Sequence, residues 1–198
     1  MRINSGGSRA AFTLVELMVV IAILCSLMTM VLGVQRYAQS KSRRSRTEAQ
    51  IAAFSAAAEA YKADNGSYPR GEETDAIASV GEAAGATTSS AFTDSNLALY
   101  VLLTGDMDLN GKPDSTEPGT AQTAAPTYIT FAPSQLAKPG DKVLFMRDPW
   151  GKAFGYSTKR AKAIQAGADD ATFGHNVTFD LWSTANMDDK EKAWITNW

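Results

Sequence analysis

The chain has 198 residues, a net charge of −2 and a pI near 5.4, so it lacks the basic excess typical of nucleic-acid-binding proteins. Its single cysteine, Cys25, excludes an intrachain disulfide. Roughly 160 residues remain once the N-terminal apolar region is set aside, which is enough for one soluble domain with its own core.

A long apolar stretch lies near the N-terminus. Residues 12–34, FTLVELMVVIAILCSLMTMVLGV, contain one charged residue, Glu16, and follow a polar leader, MRINSGGSRAA. As a helix, this stretch is long enough to cross the roughly 30 Å hydrocarbon core of a bilayer, so we predict a retained membrane-spanning segment at 12–34. A carboxylate at membrane depth costs about 2.5–3.5 kcal/mol, which predicts a partner for Glu16. The alternative is that Glu16, one turn into the helix, reaches back toward the lipid headgroups.

The residues AFTLVELMVV at 11–20 resemble the processing signature of type IV prepilins and pseudopilins. This resemblance implies that a prepilin peptidase cuts the leader, 1–11, between Ala11 and Phe12 and N-methylates the new amino group. It also implies that Glu16 helps to fit each subunit into a helical filament. The Phe12 ammonium of one subunit can pair with Glu16 of a neighbour, which relieves the cost of both charges in lipid. The sequence departs from the family pattern in two places, with Ala11 where Gly is usual and Gly33 where many relatives have Pro.

Charges on either side of the apolar stretch give conflicting indications of topology. The leader contains Arg2 and Arg9, whereas the opposite flank contains Arg36, Lys41, Arg43, Arg44 and Arg46. The positive-inside rule alone would place the leader outside. Because leader processing is cytoplasmic in this family, we expect the opposite: a single-pass inner-membrane protein whose residues 35–198 form a periplasmic domain.

After residue 34, the pattern predicts that the helix continues to about residue 63. Apolar side chains at Ile51, Phe54, Ala58 and Tyr61 follow the spacing of one helix face. The sequence DNG at 64–66 is typical of a helix end. The basic residues at 41–46 are predicted to form a solvated face or to contact lipid headgroups.

The remaining sequence predicts an α+β domain, in which a small antiparallel sheet packs on the long helix. Residues 70–95 are poor in large apolar side chains and predict a surface loop or weak helix, and 96–104 predict a short buried helix. Short β-branched and aromatic runs predict strands at 128–132, 142–146, 153–157 and 177–183. In the last of these, alternating side chains are expected on opposite faces.

Four further segments are similar to the major, G-type pseudopilin of type II secretion systems: AYKADNGSYP at 60–69, DPWGKAFGY at 148–156, DLWS at 180–183 and ITNW at 195–198. The resemblance implies a homo-oligomeric filament that works with other pseudopilins, a prepilin peptidase and an inner-membrane assembly platform. Residues 70–127 are longer than the family leads us to expect. Two alternatives stay open: a type IV surface pilin, usually with a cysteine-bridged C-terminal loop, and a membrane-anchored calcium-binding module that does not polymerise.

The sequence DMDLNGKPDSTE at 106–117 matches the liganding pattern of an EF-hand calcium loop. Alternate residues of such a loop point oxygen atoms at one hard cation, with a glycine at the sharp turn. The predicted ligands are Asp106, Asp108, Asn110, the carbonyl of Lys112, Asp114 and Glu117. The alternative is a solvated acidic turn, because Asp, Asn, Gly and Pro are common turn residues.

The pseudopilin resemblance implies a second calcium site after the last strand. The matching positions are Ser183, Asp188, Asp189 and the carbonyl of Leu181. A self-paired turn formed by DDKEK at 188–192 is the alternative. We predict no enzyme activity, because His175 is the only histidine and no nucleophile motif accompanies it.

Overall fold

The computed structural model describes residues 12–117, 125–187 and 190–198, without the side chains of 30–34, 36 and 192. The chain divides into two units, Met1–Ser42 and Arg43–Trp198. The helices are α1 (Leu14–Asn65), α2 (Glu72–Ala76), α3 (Glu82–Gly85), α4 (Ser90–Thr104) and α5 (Lys159–Gln165). The strands are β1 (Leu136–Ala137), β2 (Phe145–Met146), β3 (Gly155–Ser157), β4 (Asp180–Ser183) and β5 (Ile195–Thr196). The predicted α+β class is confirmed.

In the second unit, α1 supplies one side of the main core. Ile51, Phe54 and Ala58 are buried and Tyr61 is partly buried, as the apolar spacing predicted. The ring of Phe54 lies 5.1 Å from Phe154 in an edge-on contact. The helix ends as predicted, because Gly66 adopts a φ of 75° and its N–H donates to the Lys62 carbonyl at 2.8 Å.

Residues 70–95 were predicted to form a surface loop or weak helix, and they form short helices with several buried residues. They form α2 and α3, and α4 begins at Ser90 rather than at residue 96. The hydroxyl of Ser89 caps α4 by accepting the N–H of Phe92 at 3.3 Å. Ile77 and Ala84 are buried in a second cluster around Trp182.

The strands form two antiparallel sheets rather than the single sheet predicted. One pairs β1 with β2, and the other has the order β3-β4-β5, in which Tyr156 faces Leu181 and Trp182 faces Thr196. The predicted strand at 128–132 is wrong. The N–H groups of Tyr128 and Ile129 donate to the Leu103 carbonyl, so this segment caps the end of α4 instead of pairing in a sheet.

The predicted strand at 177–183 forms only in its second half. Within it, neighbouring side chains do lie on opposite faces, since Leu181 packs in the main core and Trp182 in the second cluster. Strand β4 starts only at Asp180, and all four of its residues are buried. Trp182 packs edge-on against Phe92 with ring centroids 5.6 Å apart, so the second cluster covers this face of β4. The side chain of Asp180 accepts the N–H groups of His175 and Asn176, which holds the preceding residues in a turn.

Asn96 joins α4 to the sheet region through three buried hydrogen bonds. Its amide donates to the carbonyls of Met146 (3.1 Å) and Phe154 (2.8 Å), and its oxygen accepts the Met146 N–H (2.6 Å).

Asn96→Ala is therefore expected to lower the free energy of unfolding by about 2–3 kcal/mol, because buried backbone groups lose their partners. Pulse proteolysis of the full chain in urea would measure this loss. The exposed Asn65→Ala is the control, and equal losses in the two variants would contradict the bridging role.

Candidate functional site

The first turn of α1 contains a reciprocal capping arrangement. The Glu16 N–H donates to the Thr13 hydroxyl at 3.2 Å, and the Thr13 N–H donates to a Glu16 carboxylate oxygen at 3.3 Å. This is a capping box, and a negative charge there is also favoured by the helix dipole. The carboxylate of Glu16 is therefore held beside Thr13, the residue that follows Phe12. The sequence TLVE at 13–16 has the capping-box pattern, a Thr followed three residues later by a Glu, but Thr13 was not singled out from the sequence.

The apolar side chains that follow are exposed. In every described position from 12 to 29 the residue is exposed, and the large hydrophobic residues among them range from 46% for Val20 to 76% for Phe12. An apolar surface of this extent is typical of a contact with another protein or with a membrane. The predicted cleavage residue Ala11 lies outside the described residues.

Within the described part of the chain, no helix has the length and apolar character needed to cross a membrane. The membrane span at 12–34 and the single-pass topology remain predictions.

The acidic loop follows directly on α4. Asp106 is fully buried, and its carboxylate accepts the N–H of Asn110 at 3.1 Å, the N–H of Gly111 at 2.8 Å and the hydroxyl of Tyr100. Gly111 has a φ of 88°, in the left-handed region that favours glycine. These bonds fold the loop around the Asp106 side chain.

Three of the predicted ligands converge. Carboxylate oxygens of Asp106, Asp108 and Asp114 all lie within 4.8 Å of one another. Oxygens this close can share one cation, because ligands on opposite sides of a calcium ion, each at 2.3–2.6 Å, are at most about 5.2 Å apart. The Asn110 amide lies 3.0 Å from Asp108 and 2.8 Å from Glu117, which places both side chains beside the cluster.

Two further contacts of the loop involve lysines. The Lys112 N–H donates to the Asn110 side-chain oxygen at 2.8 Å, and the Lys138 ammonium donates to the Asn110 carbonyl at 2.6 Å. Lys138 was not identified from the sequence, because it lies beyond the motif and reaches the loop only in the fold.

Burial shapes the electrostatics of the loop. It raises the pKa of Asp106 above the usual aspartate range, whereas the backbone N–H of Asn110 lowers the pKa of Asp108. Burial, followed by the hydrogen bond to Asp106, also raises the pKa of Tyr100. A divalent cation would offset the repulsion among the three carboxylates.

Two of the residues predicted for the second calcium site are bonded within the fold. The Ser183 hydroxyl donates to Asp148 at 2.6 Å, and the Leu181 carbonyl accepts the N–H of Asn197 at 3.1 Å. Asp188 and Asp189 lie outside the described residues.

His175 contacts the C-terminal tail. Its ring nitrogen lies 3.1 Å from a Glu191 oxygen, and its ring stacks on Trp198 with centroids 4.2 Å apart.

Comparison with known proteins gives one finding. A family profile described as the prokaryotic N-terminal methylation motif matches residues 7–32, which include the predicted signature at 11–20. No curated protein and no solved structure matches the chain. The motif implies processing by a prepilin peptidase, pilin-type polymerisation and a membrane-anchored precursor, and the pilin type is a structural, non-enzymatic class. The N-terminal segment of this chain thus carries the methylation motif of type IV pilin-like proteins and pseudopilins.

Proposed function

We propose that this chain is a structural subunit of the pseudopilus of a type II secretion system. In this proposal, a prepilin peptidase removes residues 1–11 and N-methylates Phe12, and the mature subunits polymerise through α1. The observation that carries the proposal is the methylation motif on a helix whose apolar side chains are exposed and whose first turn holds Glu16.

Packing the helices together would keep the apolar side chains out of water once a subunit leaves the membrane. A Leu, Ile or Val left in water instead of fully buried costs about 1.5–3 kcal/mol, so a subunit outside the membrane requires this contact. A buried, unpaired Glu16 would oppose assembly. The Phe12 ammonium of a neighbouring subunit offers the opposite charge, and this pairing would fix the axial register between subunits.

The choice of secretion over a surface pilus rests on the similarity of 60–69, 148–156 and 180–183 to the major pseudopilin, and on the absence of a cysteine pair. The first alternative is a type IV surface pilin for adhesion, motility or DNA uptake. The second is an anchored calcium-binding module that does not polymerise. Deleting this chain in its native host discriminates between the secretion pseudopilus and the surface pilin. Loss of folded proteins from the medium supports the secretion pseudopilus, whereas loss of sheared surface filaments with normal export supports a surface pilin.

We further propose that the acidic loop binds calcium through Asp106, Asp108, Asn110, the Lys112 carbonyl, Asp114 and Glu117. The convergence of the three aspartates supports the binding of one cation, and the EF-hand pattern of the loop favours calcium. Calcium would stabilise the loop at 106–117, with a weak affinity near 10⁻⁴–10⁻³ M, as in extracellular modules. The second site, at Leu181, Ser183, Asp188 and Asp189, remains a prediction.

Asp108→Asn is expected to weaken calcium binding, because an exposed ligand loses its charge. In the unaltered chain, calcium at ten times its dissociation constant should stabilise the fold by about 1.4 kcal/mol, and the variant should need a higher concentration for the same gain. Urea pulse proteolysis with increasing calcium measures both effects, with magnesium as the ionic control. Asp94→Asn, an exposed change on α4, should behave as the unaltered chain. A chain whose stability does not respond to calcium would contradict the proposal.

A further inference from the structure

A basic cleft lies in the second unit, between α1 and the turn that follows β2. It has a volume of about 530 Å³, and its lining includes Arg43, Arg46 and Gln50 of α1 together with Ser134, Arg147 and Asp148. That volume lies in the range of small-ligand clefts, about 300–1,000 Å³. Three arginines from two separate parts of the sequence therefore meet around one concave surface.

Two of these arginines have no partner within the part of the chain that the structure describes. The guanidinium groups of Arg43 and Arg46 make no hydrogen bond or ion pair there. Arg147 donates from Nε to the Ser134 carbonyl at 2.8 Å, which orients its guanidinium at the edge of the cleft. Their neighbour Arg44 differs, because it pairs with Glu48 at 3.1 Å and does not line the cleft.

The single carboxylate in the cleft is already bonded within the fold. Asp148 accepts the N–H groups of Trp150 and Lys152, each at 2.9 Å, and the Ser183 hydroxyl at 2.6 Å. It is 3% exposed and turned into the protein, so it does not neutralise the arginines by direct pairing. The cleft keeps a net positive charge.

We propose that this cleft binds the headgroup of an anionic lipid, with the phosphate held by Arg43, Arg46 and Arg147. Guanidinium groups suit phosphate because they form paired, charge-assisted hydrogen bonds. Arg43 lies nine residues after the apolar segment 12–34 in the sequence, which favours a lipid over a free anion as the source of the phosphate. The inference rests on the membrane anchoring that forms part of the proposed function.

The test uses the full chain in nanodiscs of equimolar phosphatidylglycerol and phosphatidylcholine. Native mass spectrometry of the released protein measures the ratio of the two lipids that remain bound. The unaltered chain is expected to retain phosphatidylglycerol preferentially. Arg46→Gln and Arg147→Gln should each lower the ratio about fivefold, the loss expected for one basic residue at an anionic surface. Arg44→Gln, in the same basic run but outside the cleft, should leave the ratio unchanged.

Three outcomes would overturn the proposal. The first is an unaltered chain with no lipid preference. The second is an equal loss in Arg44→Gln and Arg147→Gln, which would indicate diffuse attraction by the helix. The third is displacement of the lipid by excess inorganic phosphate, which would indicate a site for free anions. Arg46→Gln keeps the test valid if Arg147→Gln misfolds, because Arg46 is exposed on α1. A chain that does not enter nanodiscs contradicts the proposed membrane anchoring. A chain that binds the anionic lipid but forms no filaments contradicts the proposed polymerisation and not the lipid site.

Discussion

Glu16→Gln is expected to abolish filament assembly while leaving leader cleavage intact. Glutamine can still accept the Thr13 N–H at this position of a capping box, so the helix start should be preserved and only the charge is lost. In the filament, the change would leave the Phe12 ammonium of a neighbour buried without its counter-charge, at a cost of about 3–5 kcal/mol. Filament yield should therefore fall more than about a hundredfold. Quantitative immunoblotting of sheared filaments measures the yield, and the mobility of the cell-associated chain reports cleavage.

Two matched variants separate the effect of the Glu16 charge from the effect of the helix cap at Thr13. Glu48→Gln removes an exposed carboxylate from the same helix and should assemble normally. Thr13→Ala removes the capping hydroxyl but keeps the charge, so its loss of assembly should be smaller than that of Glu16→Gln. Normal filaments from Glu16→Gln would exclude the proposed pairing between Glu16 and the Phe12 ammonium.

Gly155→Ala is expected to be the most disruptive small substitution in the globular unit. Gly155 on β3 lies directly opposite Trp182 on β4, and a Cβ built on Gly155 would overlap the indole ring. The ring is fully buried, and its N–H donates to the Ala84 carbonyl at 2.9 Å, so it has little freedom to move away. We expect a loss of about 3 kcal/mol in the free energy of unfolding, at the upper end for overpacked cores. Pulse proteolysis of the full chain in urea measures this without depending on tryptophan fluorescence.

A double-mutant cycle tests the contact itself. Trp182→Leu alone should cost about 3 kcal/mol through the cavity that it creates. Adding Gly155→Ala to that variant should cost less than about 1 kcal/mol more, because the overlapping ring is gone. Gly140→Ala is the control for a glycine with open space around it, and it should change stability by no more than about 0.5 kcal/mol. Additive losses in the double variant would show that the two residues are not in contact.

Features that depend on local spacing were predictable from the sequence. Ile51 and Phe54 repeat at the helical period, and this alone identified the buried face of α1. The aspartates of the acidic loop converge because alternate positions of a short turn point inward, so their grouping followed from spacing. The end of α1 was predictable because Gly66 supplies the left-handed conformation that a helix end requires.

Features that depend on distant partners were not predictable. The run at 128–132 has strand-like composition. Its Tyr128 N–H nevertheless donates to the Leu103 carbonyl at the end of α4 and does not pair in a sheet. The alternation in β4 gave no sign that Phe92 would cover Trp182 from a distant helix. Likewise, Arg147 joins Arg46 in one cleft only because the fold brings β2 beside α1.

Intact mass spectrometry of the protein purified from its native membranes tests the central claim most directly. The account predicts a chain that begins at N-methylated Phe12, cut after Ala11 although the family usually has Gly at that position. A chain that still carries residues 1–11 would contradict it, because a subunit without the new ammonium at Phe12 could not form the proposed pair with Glu16.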